Sequence, residues 1–190
     1  MCDYILEMRN ITKIYPNGFV ANKDVTFNVR RGEIHALAGE NGAGKTTLMK
    51  ILFGLENAQE GSILINGEPA KITSPLDAIA YGIDMVHQHF MQVPRFTVAE
   101  NIVLGVEPTK GVCFDSDRAM QMAEQIIEKY QFDVKADQIL DELSIGARQK
   151  VELMKALVRG VKLLILDEPT AVLTPQETEE LFAQLRILRD

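Results

Sequence analysis

The sequence predicts an α/β domain organised around a phosphate-binding loop, with a small β layer before the loop and a helical lobe after it. Three observations predict this class. The run GENGAGKTT fits G-x-x-x-x-G-K-[ST], with Gly39, Gly44, Lys45 and Thr46 at the fixed places. It lies between a strand-like stretch at 33–38 and a helix-like stretch at 48–52. Further on, residues 163–166 are a continuous apolar run ending in two adjacent carboxylates, Asp167 and Glu168. Such a run reads as a parallel strand buried on both faces, and a strand tip is where an α/β sheet places its chemistry.

The loop chemistry follows from residue types. Glycines let the backbone curl so that consecutive N–H groups point at phosphate oxygens. The helix after the loop adds unpaired N–H groups and the positive end of its dipole. Lys45 supplies a point charge for the terminal phosphates, and the Thr46 hydroxyl can sit on the magnesium ion they carry. The residues therefore read as a nucleoside triphosphate site.

Ahead of the loop, residues 4–8 and 25–29 are rich in β-formers, and 62–65 is a third short candidate strand after it. Turns at Asn17-Gly18, Arg31-Gly32 and Asn66-Gly67 separate them, which suggests a β layer beside the loop. Tyr15, before Pro16, reads on its own as a half-buried turn aromatic. Asn22-Lys23-Asp24 invites comparison with the guanine-reading N-K-x-D of GTPases. Its aspartate comes one place early and the motif precedes the loop, so that reading is rejected.

Residues 74–80 predict a short helix with Ser74 as N-cap and Pro75 at the first helical position. Residues 83–86 read as a strand leading into His87-Gln88-His89, which no Cys or carboxylate cluster completes as a metal shell. From Met91 to Leu143 the character is helical, and 117–130 puts Met120, Ala123, Ile127 and Tyr130 on one face as core. Ser144 then caps a helix with an inward stripe of Ala147, Val151, Met154 and Val158, ended by Gly160. At the strand tip that follows, one carboxylate can hold magnesium and the other can polarise a water.

A length of 190 residues suits one substantial domain with its own core. The net charge of −7 gives no overall basic character to advertise nucleic acid binding. Cys2 and Cys113 make no disulfide framework and fit a reducing compartment. No apolar run approaches the ~20 residues of a membrane helix, and the longest, at 161–166, already contains Lys162. MCDYILEMRN has acidic residues and no apolar core after a basic start, unlike a signal peptide. A cytosolic chain is expected.

In this order the pieces resemble, over essentially the whole chain, the nucleotide-binding domain of ABC transporters. Residues 39–47 match its Walker A motif, 163–168 match Walker B, and LSIGARQ matches the signature that only this family carries. Gln88 sits where the family has its Q-loop glutamine, and Tyr15 where it has an adenine-stacking aromatic. The resemblance implies an α/β P-loop NTPase with a RecA-like core, an N-terminal antiparallel β subdomain and an inserted α-helical subdomain. The parts would be 1–90 (β subdomain and Walker A part of the core), 91–145 (helical subdomain) and 146–190 (Walker B part). It further implies that Tyr15 stacks on adenine and that Gly39, Glu40, Asn41, Gly42, Ala43, Gly44, Lys45, Thr46 and Thr47 hold the phosphates of ATP. Thr46 and Gln88 would ligate Mg2+, with Asp167 reaching it through water. Glu168 would be the general base, with Gln88 serving the same chemistry. Ser144 and Gly146, at a helix N-terminus, would face the γ-phosphate of ATP bound on a second domain, in a head-to-tail pair.

Within the family, MVHQHF, FTVAENIVLG and DEPTAVLTPQE resemble the ATPases of importers for simple sugars and nucleosides, in particular a nucleoside group that fuses two such halves. This chain resembles the first half. The implied partners are a second nucleotide-binding domain, transmembrane permease subunits and, indirectly, a solute-binding lipoprotein, with no nucleic acid. The implied place is the cytoplasmic face of the membrane, where ATP hydrolysis would drive uptake. Ile145, Ala147 and Thr174 depart from the family pattern, the last standing at the D-loop aspartate. The family's switch histidine falls beyond Asp190, so a truncated C-terminal part and poor hydrolysis are expected; His35, His87 and His89 all precede Asp167. The competing reading is a soluble ABC-type ATPase acting on DNA or ribosomes. It calls for a long coiled coil between the Walker motifs or for basic segments, and the sequence has neither.

Overall fold

The structure, a computed structural model, describes residues 4–86 and 91–189. The chain divides into two compact units, one running up to Asp84 and the other over Met85–Leu188.

In the first unit β1 (Tyr4–Ile14) pairs antiparallel with β2 (Val20–Arg30). Helix α1 (Lys45–Leu52) follows, and then β3 (Glu60–Ile65) and β4 (Glu68–Ala70) complete a sheet of order β2-β1-β3-β4. Leu6, Met8 and Ile11 of β1 are buried, together with Val29, Ile65 and the α1 residues Leu48, Ile51 and Leu52. The strands expected at 4–8, 25–29 and 62–65 lie inside these longer elements. β1 continues because its ladder shifts register between Met8 and Ile11. Asn10 takes a φ of 55° there, and its amide donates to Asp24 Oδ1 at 2.6 Å. β4 answers the Asn66-Gly67 turn, whose φ values of 54° and 82° suit a two-residue hairpin. Helix α2 (Pro75–Ala80) starts as the sequence predicts. Ser74 Oγ accepts from the Asp77 N–H at 3.3 Å, and the Asp77 carboxylate accepts from the Ser74 N–H at 2.9 Å.

One expectation fails here. Residues 33–38 form no strand, and they are exposed throughout, with Ile34 at 46% and Leu37 at 37%. A strand exists only through hydrogen bonds to a neighbour, and no described strand pairs with this stretch.

β5 (Ile83–Val86) ends in Met85 and Val86, which open the second unit. Then come α3 (Val98–Ile102), the short hairpin of β6 (Thr109–Lys110) and β7 (Cys113–Phe114), and α4 (Ser116–Tyr130). Helix α5 (Ile145–Val158), strand β8 (Leu163–Leu166) and helix α6 (Pro175–Arg189) complete the unit. Val98, Ile102, Ala123, Val151, Leu153 and Met154 share one core, with Met120, Ile127 and Tyr130 packed against it. The α4 face is thus as expected. The α5 stripe is wider than the expected one, because Leu153 and Ala156 are buried as well, and Ala147 and Val158 are only half-buried. β8 pairs with β5. Of its four residues only Ile165 is fully buried, so the double-faced burial read from its apolar run is not met; a two-stranded sheet covers too little. Cys113 is exposed and unbonded to sulfur.

Helix α5 also grips the stretch that follows the undescribed residues 87–90. The buried Lys155 donates to the Met91 carbonyl at 2.7 Å, and Gln92 Nε2 donates to the Arg148 carbonyl at 2.7 Å. Burial pushes the Glu152 carboxyl above the usual glutamate range, against the opposing pull of Lys155, Gln92, Arg159 and the Met91 backbone. A raised folded-state pKa means that the protonated form favours the fold. That stabilisation is complete below the unfolded pKa and is lost as pH rises through the folded one. Glu152→Gln is therefore expected to melt like the parent near pH 4 and above it at pH 7. A gain of equal size at both pH values, or a loss at pH 7, contradicts the assignment.

Candidate nucleotide site

The phosphate loop is shaped by how closely it approaches β2. Gly44 is the N-cap of α1 with a left-handed φ of 84°, and no side chain caps the helix. A Cβ on Gly44 would sit 2.2 Å from the Ala21 carbonyl oxygen and 2.7 Å from Asn22 Nδ2. Only glycine satisfies both the angle and the space. Asn22, buried at 5% exposure, donates from Nδ2 to the Gly44 carbonyl at 3.3 Å. Its Oδ1 is buried without a partner among the described residues. Gly42 also takes a left-handed φ, 83°. Such alternation aims successive N–H groups to one side, where an anion fits. Gly39 is different: a Cβ there would make ordinary contact, 3.6 Å from Ala43 Cβ and 3.8 Å from Lys45 Cδ.

The Lys45 ammonium spans the loop, donating to the carbonyls of Gly39 at 2.8 Å and Glu40 at 2.9 Å. The charge is thereby held over the curl that Glu40, Asn41, Gly42 and Ala43 form. The Ala43 N–H donates to the Glu40 carbonyl at 3.2 Å. Thr46 and Thr47 follow in the first turn of α1. The half-buried Tyr15 is brought to the same place, its hydroxyl 3.5 Å from Thr47 Oγ1. Its ring stacks with Phe19 at 6.3 Å between centroids, and Lys13 Nζ lies 5.1 Å from the ring centroid. Lys13 is fixed by Glu56 Oε2 at 2.8 Å and by the Asn57 carbonyl at 2.8 Å.

The second unit holds the other sequence-predicted residues except Gln88, which lies outside the described residues. Asp167 directly follows β8, and its N–H donates to the Val86 carbonyl at 3.2 Å. Glu168 has a left-handed φ of 49°, a conformation that costs a non-glycine residue about 1–3 kcal/mol and clusters at functional sites. The buried Gln149 of α5 donates to the Pro169 carbonyl at 2.7 Å and so fixes the chain just past Glu168. Ser144 is the N-cap of α5, its Oγ accepting from the Ala147 N–H at 3.2 Å. The Gly146 N–H donates to Glu177 Oε1 at 3.3 Å.

Three site residues were not foreseen. Asn22 belongs to the rejected guanine-like motif, and its real contact is with the loop. Lys13 gave no signal. Glu177 stands in T-x-x-E, a capping box legible in the sequence, but its bond to Gly146 is not local.

Gly44→Ala is expected to cost about 2–5 kcal/mol, from left-handed strain of about 1–2 kcal/mol plus overpacking of about 1–3 kcal/mol. It should also abolish nucleotide binding. Gly39→Ala should leave the melt nearly unchanged. Equal stability of the two variants in thermal melts contradicts the close-approach account.

Comparison with known proteins bears on the family and the fold. The family model described as ABC transporter matches residues 22–171. The guanosine import ATP-binding protein NupO of Bacillus subtilis is 49% identical over 98% of the chain. The nucleoside import ATP-binding protein NupA of Lactococcus lactis is 47% identical over 97%. The chain spans 36% of the length of each of these relatives. Among solved structures, the ADP conformation of MJ1267, an ATP-binding cassette of an ABC transporter, superposes with a TM-score of 0.83 at 26% identity. That match covers 98% of this chain and 77% of the other. A sequence match over most of the chain and a cassette fold over nearly all of it lead to one conclusion: the chain belongs to the ABC transporter family.

Proposed function

We propose that the chain is part of the ATP-binding subunit of a nucleoside importer and that it binds and hydrolyses Mg-ATP to drive uptake. The observation that carries this is the loop at 39–47, where an uncapped helix start, two left-handed glycines and the Lys45 ammonium surround one curl. In this reading the loop backbone and Lys45 hold the phosphates, and Tyr15 supplies a platform for adenine. Glu168 takes a proton from the attacking water, and Gln88 serves the same step. Ser144 and Gly146 act on ATP carried by a second, head-to-tail domain. Among the described residues no group of three or more His, Cys, Asp or Glu side chains could hold a metal. Magnesium would therefore arrive with the phosphates, held by the Thr46 hydroxyl and Gln88 with Asp167 behind a water, and would neutralise charge on them.

The chain parts proposed are 1–90 for the β and Walker A portion, 91–145 for the helical portion and 146–190 for the Walker B portion. No helix among the described residues is long and apolar enough to cross a membrane. In this reading the partners are transmembrane permease subunits, with the ATPase on their cytoplasmic face and a solute-binding lipoprotein on the far side. Relatives named for guanosine and nucleoside import favour a nucleoside as the solute, and they do not favour an ATPase acting on DNA or ribosomes.

In the intact transporter, Glu168→Gln is expected to keep ATP binding while turnover falls ~10²–10⁴-fold and uptake of labelled guanosine stops. Guanosine uptake that persists while uptake of a labelled sugar is lost contradicts the nucleoside assignment.

A further inference from the structure

Glu177 joins two helix starts. Its Oε2 accepts from the Thr174 N–H at 3.0 Å and from the Thr174 hydroxyl at 2.9 Å, while its own N–H donates to Thr174 Oγ1 at 3.3 Å. That is the capping box of α6. Its other oxygen, Oε1, lies on α5 and accepts from the Gly146 N–H at 3.3 Å. The fit is close: a Cβ on Gly146 would lie 2.7 Å from Oε1. The hydrogen bonds from the Thr174 backbone and hydroxyl hold the carboxyl below the usual glutamate range, with smaller help from Gly146 and Lys150. Glu177 is therefore a carboxylate at neutral pH.

We propose that Glu177 is an internal anion seated on the signature helix, one that the terminal phosphate of a partner-bound nucleotide must displace from Gly146. This rests on the reading of Ser144 and Gly146 as donors to ATP held by a second domain. Two first-turn N–H groups of that helix are engaged from within the chain: Ala147 by Ser144 Oγ and Gly146 by Glu177. A phosphate and a carboxylate cannot share one N–H and the positive end of one helix dipole without mutual repulsion. Pairing thus needs more nucleotide than it would without this carboxylate, and the D-loop position Thr174 is tied to the signature through the same side chain.

Glu177→Gln separates charge from scaffold, because glutamine also completes a capping box. The full chain and its Glu177→Gln variant are titrated with magnesium and a non-hydrolysable ATP analogue, and self-association is followed by sedimentation. The half-maximal analogue concentration should fall roughly two- to fivefold in the variant, as expected for removing one charge at a helix N-terminus, while its melt lies slightly below the parent's at neutral pH, because a depressed carboxyl pKa means that the charged form favours the fold. An unchanged or higher concentration overturns the inference, and so does failure of both chains to associate. Analogue binding to single chains, read in parallel by calorimetry, tells whether the reading of residues 39–47 fails with it.

Discussion

The nucleotide loop depends on one close approach. The start of α1 and the chain at Ala21 of β2 come nearer than any side chain allows, and Gly44 occupies the gap. From that contact follow the left-handed turn into α1, the Asn22 bond to the Gly44 carbonyl, and the placing of Tyr15 beside Thr47. The antiparallel sheet is the anvil. Its own interior, with Leu6, Met8 and Ile11 buried, holds β2 in place so that the loop can be pressed against it.

Helix α5 has the comparable part in the second unit. Along its length it meets Glu177 through Gly146, the chain beyond Glu168 through Gln149, and Met91 through Lys155. Lys150 adds an ion pair to Glu180 of α6 at 3.0 Å. These contacts lie on a helix whose apolar side, Val151, Leu153 and Met154, is fully buried. A buried core thus carries a row of polar contacts to Met91, to the chain just past Glu168 and to α6, and a tilt of α5 would be felt at all of them.

What was legible in the sequence was local. The Ser74 and Ser144 caps each rest on residues three places apart, and the α4 face on residues that recur every three or four places, and each forms as read. Pairing is not local, and there the reading failed: 33–38 has strand composition but no neighbour to bond among the described residues, and β8 has apolar residues on both faces but one described partner strand. The β6–β7 hairpin escaped because two strands of two residues carry no periodicity. Asn22 and Glu177 escaped because their partners, Gly44 and Gly146, lie 22 and 31 residues away. Family membership was legible because its motifs are spaced along the whole chain.

The central claim is that the loop at 39–47, as shaped by Gly44 and spanned by Lys45, is where this chain holds ATP. The most direct measurement is a calorimetric titration of the chain and of Lys45→Ala with Mg-ATP, alongside thermal melts without nucleotide. The account predicts at least ~10-fold weaker binding by the variant, the scale of a lost charge-assisted contact, with nearly coincident melts. Equal affinity in two equally stable chains would contradict it.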